Sequence, residues 1–404
     1  QMSRLTTILK AKAKLAAVRV AVTVIPAPRP IVLLGEGAAL NLCNTVSHIG
    51  VKRVLIVTDA ILVKLGVVEP VLNKLAALGI ETVVFSGVTP DPTITVVNEG
   101  LAMLRMGHCD AVLAVGGGSS IDAAKVIALS ATNNKTPREL IGILKGRKPS
   151  LPLFVIPTTA GTGSEVTIGA VVSDDQTHQK GLVIDPRVVP LATAIDPVVM
   201  QGMPKAVTAD TGIDALTHAL ESWMSEIATD DTDYFASAAV RMVLTHLPVA
   251  FNDGKNLDAR VAMGLAAHYG GMALNKAGLG YVHAIAHQLG AHYGVPHGRS
   301  NAIVLPYILE FNRDACSERL AELARKVGIA TPDTSDRIAA DQLITQVKQL
   351  LKDVNINTRI PDMNPADFPA MVVSAFAEAH GTYAVARYMD PKDVTNILHE
   401  IARG

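Results

Sequence analysis

The sequence predicts a two-domain chain, an α/β domain built on a parallel sheet over residues 1–203 followed by an all-helical domain over residues 204–404. Three observations predict it. At 404 residues the chain exceeds the size at which one hydrophobic core usually keeps growing. From about residue 31 to about residue 200, short β-branched runs alternate with helical patterns, the mark of a doubly wound parallel sheet. After Pro204 those runs give way to long Ala- and Leu-rich segments with helical spacing.

Residues 2–35 hold no Asp or Glu but several Lys and Arg, a composition shared with organelle transit peptides. Leu5, Ile8, Leu9 and Leu15 fit one face of an ordinary amphipathic helix, which is the stronger reading. Val18 to Leu34 is the most apolar stretch, but Arg19, Pro26, Pro28, Arg29 and Pro30 interrupt it, so it reads as strands and turns. Ile31–Leu34, Val54–Thr58, Thr82–Phe85, Ala111–Val115 and Leu153–Ile156 are strands by their apolar, β-branched content. Leu62–Leu78 and Val96–Met106 are helical between them, as are Asp214–Met224 and Thr232–Leu247 in the second domain.

Lys and Arg total 36 against 37 Asp and Glu, with no long run of either sign, which argues against a nucleic-acid partner. No uninterrupted apolar stretch approaches the roughly 20 residues of a membrane helix. Cys43, Cys109 and Cys316 are scattered without metal-type spacing, as expected in a reducing compartment, so the cytoplasm is the expected location.

The strand Ala111–Val115 runs into Gly116, Gly117, Gly118, Ser119 and Ser120 and then a helical segment. Such a turn lets backbone N–H groups approach a pyrophosphate and aims the positive helix end at it, or it serves close packing alone. Gly35 and Gly37 imitate the dinucleotide fingerprint, but Leu40 stands where the third glycine belongs, so they read as a turn. Asp59 ends a strand, where its carboxylate can hold a ribose hydroxyl or cap a helix. It precedes Gly116 by more than 50 residues, unlike the acid of an ordinary Rossmann unit. Pro157 to Glu165, with Thr158, Thr159 and Thr162, concentrates hydroxyls and glycines after another strand, suiting either a ligand edge or a capping turn.

Five of the twelve histidines, His268, His283, His287, His292 and His297, fall between residues 268 and 297. Asp214 and His218 stand four apart in DALTHALE, on one helix face, and can share an ion. His283 and His287 repeat the spacing in HAIAH, and His297 follows a short turn in YGVPHG. Imidazole with carboxylate suits a divalent transition ion, whereas Mg²⁺ or Ca²⁺ demands more oxygen ligands.

GGGSSIDAAK, IPTTAGTGSEVT, TGIDALTHALE and GLGYVHAIAHQLG with VPHG stand in the order and spacing of the iron-containing (group III) alcohol dehydrogenases. The chain resembles that family from about residue 31 to residue 312. The resemblance implies an architecture like that of dehydroquinate synthase and glycerol dehydrogenase, with a Rossmann-like dinucleotide-binding domain. It implies Asp214, His218, His283 and His297 as metal ligands. Gly117, Gly118 and Ser119 then bind pyrophosphate, Thr158, Thr159 and Thr162 line the dinucleotide site, and Asp59 sits at the adenosine ribose. Lys180 matches a basic position close to the cofactor, and His287 a second histidine near the nicotinamide, the expected catalytic residue. The tail departs from many relatives, which carry a Cys and an Asn-Pro-Arg where this chain reads HGTYAVARYMD.

The implied activity is hydride transfer between a small alcohol or diol and NAD, with Fe²⁺ as the expected ion and Zn²⁺ as the alternative. The implied partners are a small-molecule alcohol or aldehyde and a second copy of the chain in a homodimer or higher homo-oligomer. A glycerol or hydroxyacid dehydrogenase of the same superfamily is the neighbouring alternative. A dehydroquinate-synthase-like lyase shares the fold but needs a strongly basic pocket, and few Lys or Arg flank the expected ligands. A nucleotide-binding protein without chemistry is the remaining alternative, opposed by the presence of all four ligands.

Overall fold

A computed structural model describes residues 4–24, 28–176 and 180–403. Nine strands form among the described residues: β1 (Ile31–Leu34), β2 (Arg53–Val57), β3 (Glu81–Phe85), β4 (Ala111–Gly116), β5 (Gly142–Ile143), β6 (Leu153–Pro157), β7 (Gly169–Ser173), β8 (Lys180–Ile184) and β9 (Ala192–Ile195). Six of them make a wholly parallel sheet in the order β1-β9-β6-β4-β2-β3. The other three make a small sheet, β5-β8-β7, whose β7 and β8 are antiparallel, an element not foreseen from the sequence.

The first eight helices are α1 (Arg4–Val24), α2 (Ala38–His48), α3 (Ala60–Lys64), α4 (Glu69–Ala77), α5 (Ile94–Met106), α6 (Gly118–Asn133), α7 (Pro137–Leu140) and α8 (Pro197–Met200). Period-two alternation in the central strands builds a core on each face of the large sheet. Leu55, Val57, Val112, Ala114 and Val155 pack with Val97 and Leu101 of α5 and Ile121 and Ile127 of α6. Val54, Ile56, Leu113, Val115 and Ile156 pack with Leu42 and Val46 of α2 and Val71 and Leu75 of α4. That is the doubly wound arrangement expected.

Two details depart from expectation. The stretch from Val18 is not strand and turn at its start, because α1 continues to Val24. Two prolines follow, at 26 and 28, while the β-branched residues before them carry only a small helix penalty, about 0.5 kcal/mol each. The expected helix Leu62–Leu78 is two helices, α3 and α4, parted where Gly66 takes a φ of 74°.

The second region is helical: α9 (Lys205–Met224), α10 (Asp230–Asn252), α11 (Leu257–Ala277), α12 (Tyr281–Tyr293), α13 (His297–Asn312), α14 (Ser317–Lys326), α15 (Asp336–Asp353), α16 (Phe368–Ala379) and α17 (Pro391–Ala402). Among the described residues α10 alone is long and apolar enough to cross a membrane, yet Phe235, Val240, Val243 and Leu247 are buried in the protein.

The chain separates into two compact units. One holds the two sheets and also residues 254–268; the other holds α1, residues 204–253 and the helices after residue 269. A single cut after residue 203 therefore misses two exchanges, α1 and the first part of α11, whose partners are set by packing rather than chain order.

Candidate functional site

In the α/β unit, chain direction across the large sheet reverses between β2 and β4. Ligands of open α/β sheets bind beyond the carboxyl ends of the strands at such a point. Asp59 follows β2, Gly117 follows β4 and Thr158 follows β6, three neighbouring strands. Gly117 and Gly118 have no need of an unusual φ; they are small because the threonine loop lies against them. A Cβ on Gly117 would come within 3.3 Å of Thr159, and one on Gly118 within 2.7 Å of the Thr162 methyl. Gly35 and Gly37 differ in kind, with φ of 108° and 83° and open space around them, as a turn requires. Ser119 lies in the first turn of α6.

Asp59 caps α3, its Oδ1 accepting the Leu62 N–H at 2.9 Å. Lys180 begins β8 and pairs with Asp91 at 2.8 Å, half-exposed and far in sequence from the glycine turn.

Two groups of α6 missed in the sequence hold the threonine loop. Asp122 accepts from Ser164 Oγ at 2.5 Å and from the Val171 N–H at 2.9 Å. The wholly buried Lys125 donates to Thr167 O at 2.8 Å and Gly169 O at 2.7 Å. Burial pushes its ammonium down to about 8, against the pull of Asp122 and Glu165. Lys125→Met is expected to cost about 2 kcal/mol or more, because it strands buried carbonyls. An unfolded lysine titrates near 10.4, so between about pH 8 and that value the unfolded chain holds the extra proton. Wild-type stability should therefore rise with pH relative to the variant across that window, as urea unfolding at several pH values would measure.

In the helical unit, α9 presents Asp214 and His218 one turn apart, α12 presents His283, and His297 opens α13. One potential ligand atom from each lies within 4.8 Å of all the others. The Nε2 atoms of His218, His283 and His297 stand 3.6, 3.7 and 3.5 Å from Asp214 Oδ1. A tetrahedral ion with bonds of about 2.1 Å holds its ligand atoms about 3.4 Å apart, so the set fits a small transition ion.

The protonation pattern fits as well. Burial drives the imidazolium of His218 down to about 4 and that of His283 to about 3, so both rings are neutral donors of a lone pair. Burial opposes ionisation of Asp214, but the surrounding imidazoles outweigh it and hold the carboxyl well below its ordinary range. The Asn301 amide nitrogen points into the cluster, 2.8 Å from Asp214 Oδ1, 3.1 Å from His283 Nε2 and 3.3 Å from His297 Nε2. It thus addresses three of the acceptors that an ion would use.

His287 is not in this cluster. Its ring stacks on that of His297 at 5.3 Å, and its Nδ1 meets Glu378 Oε1 at 2.8 Å. Tyr383 donates to the same oxygen at 2.6 Å. Burial alone would raise the Glu378 pKa, but these two hydrogen bonds reverse it, so the carboxyl lies below its ordinary value. Of the other two histidines, His268 pairs with Glu165 of the α/β unit at 3.2 Å and His292 is exposed at the end of α12.

Glu221, Asn301, Glu378 and Tyr383 were not singled out in the sequence. Glu221 and Asn301 had a signal, standing seven residues after Asp214 and four after His297 on the same helices. Glu378 lies 91 residues from His287 and had none.

A glycine turn at the switch point of a parallel sheet, with a buried Asp-His₃ cluster in a helical unit, defines a class: nucleotide-linked enzymes with one transition ion. A family model described as iron-containing alcohol dehydrogenase matches residues 29–197, and one for the C-terminal part of the Fe-containing alcohol dehydrogenase family matches residues 208–402. The chain belongs to the iron-containing alcohol dehydrogenase family and is an oxidoreductase. It is 38% identical to lactaldehyde reductase of Escherichia coli, over 90% of this chain and 96% of that one. It is 35% identical to NAD-dependent methanol dehydrogenase of Bacillus methanolicus, over 91% of this chain and 97% of that one. The solved alcohol dehydrogenase of Oenococcus oeni superimposes with a TM-score of 0.89 at 37% identity, covering 93% of this chain and 100% of that one.

Proposed function

We propose that the chain interconverts a small alcohol or diol and its aldehyde or ketone with NAD, using an ion held by Asp214, His218, His283 and His297. The convergence of those four ligand atoms within 4.8 Å carries the reading. A divalent transition ion bound there supplies the Lewis acidity that draws electron density from the substrate oxygen. NAD bound to the α/β unit would supply the hydride acceptor for the carbinol carbon, and His287 takes the hydroxyl proton. With Nδ1–H of His287 engaged by Glu378, Nε2 is the basic atom, and in reduction it returns the proton.

The dinucleotide-binding assignment follows the strand ends of the α/β unit, residues 26–203 with 254–268. The backbone N–H groups of Gly117, Gly118 and Ser119, at the positive end of α6, take the pyrophosphate. Thr158, Thr159 and Thr162 line the site, and Lys180 stands near the cofactor. Asp59 keeps one oxygen on α3 and offers the other to the adenosine ribose, where a 2′-phosphate would meet its charge. Asp59→Gly should therefore raise the NADP-to-NAD ratio of kcat/KM, and an unchanged ratio removes Asp59 from the site. The similarity to the NAD-dependent methanol dehydrogenase of Bacillus methanolicus supports NAD.

Fe²⁺ is the expected ion. Asp214, His218, His283 and His297 would hold it, and the family that the chain matches is iron-containing. Chelated enzyme should regain more activity with anaerobic Fe²⁺ than with Zn²⁺, and the reverse order overturns the preference. Short alcohols, diols, hydroxyacids and aldehydes assayed with each ion and each cofactor test the whole reading.

The cytoplasm is the proposed location, supported by three buried free cysteines. A homodimer or higher homo-oligomer is supported by the apolar edge strand β1, where Ile31 and Leu34 are exposed. Light scattering of the purified chain tests this.

A further inference from the structure

Glu221 ends the row that Asp214 and His218 begin on α9, and it is buried. Its carboxylate meets the first turn of α12. Oε1 accepts the backbone N–H of Val282 at 2.7 Å and of His283 at 3.4 Å, while Oε2 lies 2.6 Å from Nδ1 of His283. Gly280, the residue that precedes α12, makes room for it: a Cβ there would stand 2.9 Å from Oε1. A carboxylate is favoured at this end of a helix by the unpaired N–H groups and the dipole. On the far side of the same imidazole, Nε2 faces the amide N–H of Asn301 at 3.1 Å. A donor at Nε2 and an acceptor at Nδ1 both select the tautomer with its proton on Nδ1 and its lone pair on Nε2.

We propose that Glu221 is a positioning residue of the metal centre: one oxygen fixes the Nε2-coordinating tautomer of His283, and the other anchors the first turn of α12 to α9. The inference rests on Asp214, His218, His283 and His297 being the metal ligands. The two tasks need an acceptor at each oxygen. Glutamine has the same size but one acceptor and one donor end. Whichever way its amide is turned, the NH₂ faces either the N–H groups of α12 or the Nδ1–H of His283. Only a carboxylate serves both.

The test uses the full chain and its Glu221→Gln, Glu221→Asp and Gly280→Ala variants. Zn²⁺ affinity is measured by chelator competition, the ligand field by the visible spectrum of the Co²⁺ form, and fold stability by melting of the metal-free proteins. Glu221→Gln should weaken Zn²⁺ binding by about 10- to 100-fold and alter the Co²⁺ bands. Glu221→Asp, which keeps both acceptors, should recover part of the affinity, and Gly280→Ala, which displaces the carboxylate, should weaken binding in the same direction. A purely structural role would lower the melting temperature and leave the affinity and spectrum of the folded fraction unchanged. That result overturns the proposal. If Glu221→Gln does not fold, a crystal structure of the zinc-loaded wild type decides: coordination through Nδ1 of His283 overturns it, and coordination through Nε2 with Glu221 on Nδ1 supports it. A wild-type chain that binds no metal overturns the ligand assignment and this inference with it, whereas wild-type binding with an unaffected Glu221→Gln overturns this inference alone.

Discussion

Replacing His283 by alanine is expected to remove metal and turnover together. The imidazole is wholly buried and neutral, its Nε2 stands 3.7 Å from Asp214 Oδ1, and no other side chain of α12 reaches that position. The methyl group of alanine leaves a three-member set, and the water that fills the space is a weaker ligand than a preoriented imidazole. An ion held there would contribute several kcal/mol to stabilising charge at the substrate oxygen, so its loss is expected to lower turnover by about 10³-fold or more. Metal content by elemental analysis and kcat on one protein sample check both halves. An His283→Ala enzyme with stoichiometric metal and near wild-type turnover would show that the ion is held elsewhere.

His287→Ala is expected to separate the two properties. His287 lies one turn further along α12, and its Nδ1 is committed to Glu378 rather than to the cluster. The variant should keep stoichiometric metal and lose about 10²-fold in kcat, the usual contribution of a general base. One limb of the pH–rate profile should disappear with it. Glu378→Gln should act in the same direction by loosening the imidazole, with metal again retained. If His287→Ala keeps the wild-type pH profile, the relay role is wrong and the ring serves only to pack against His297.

The contrast between these two histidines shows where sequence reasoning ends. Four-residue spacing puts both on one face of α12, and that much is local geometry. Which of them joins Asp214 and His218 depends on which turn of α12 meets the side chains of α9, a matter of packing. The partner of His287 was hidden for the same reason. Glu378 sits on α16 and Tyr383 follows it, in the tail whose departure from the family pattern had no visible meaning in one dimension. Lys125 was illegible in another way: within a good helix sequence it looks like a solvated residue, and only the approach of Thr167 and Gly169 makes it a buried brace.

By itself, the sequence determined what depends on neighbours along the chain. Period-two apolar runs specify strands, 3.6-residue spacing specifies helices, and the residue types of DALTHALE, HAIAH and VPHG specify a donor set for a transition ion. The tertiary structure alone decided what depends on groups distant in the chain coming together: the exchange of α1 and residues 254–268 between units, the antiparallel pairing of β7 with β8, and the gathering of Asp214, His218, His283 and His297 into one cluster. It also decided which group faces Nδ1 of His283, because that group, the Glu221 carboxylate, lies 62 residues away on another helix.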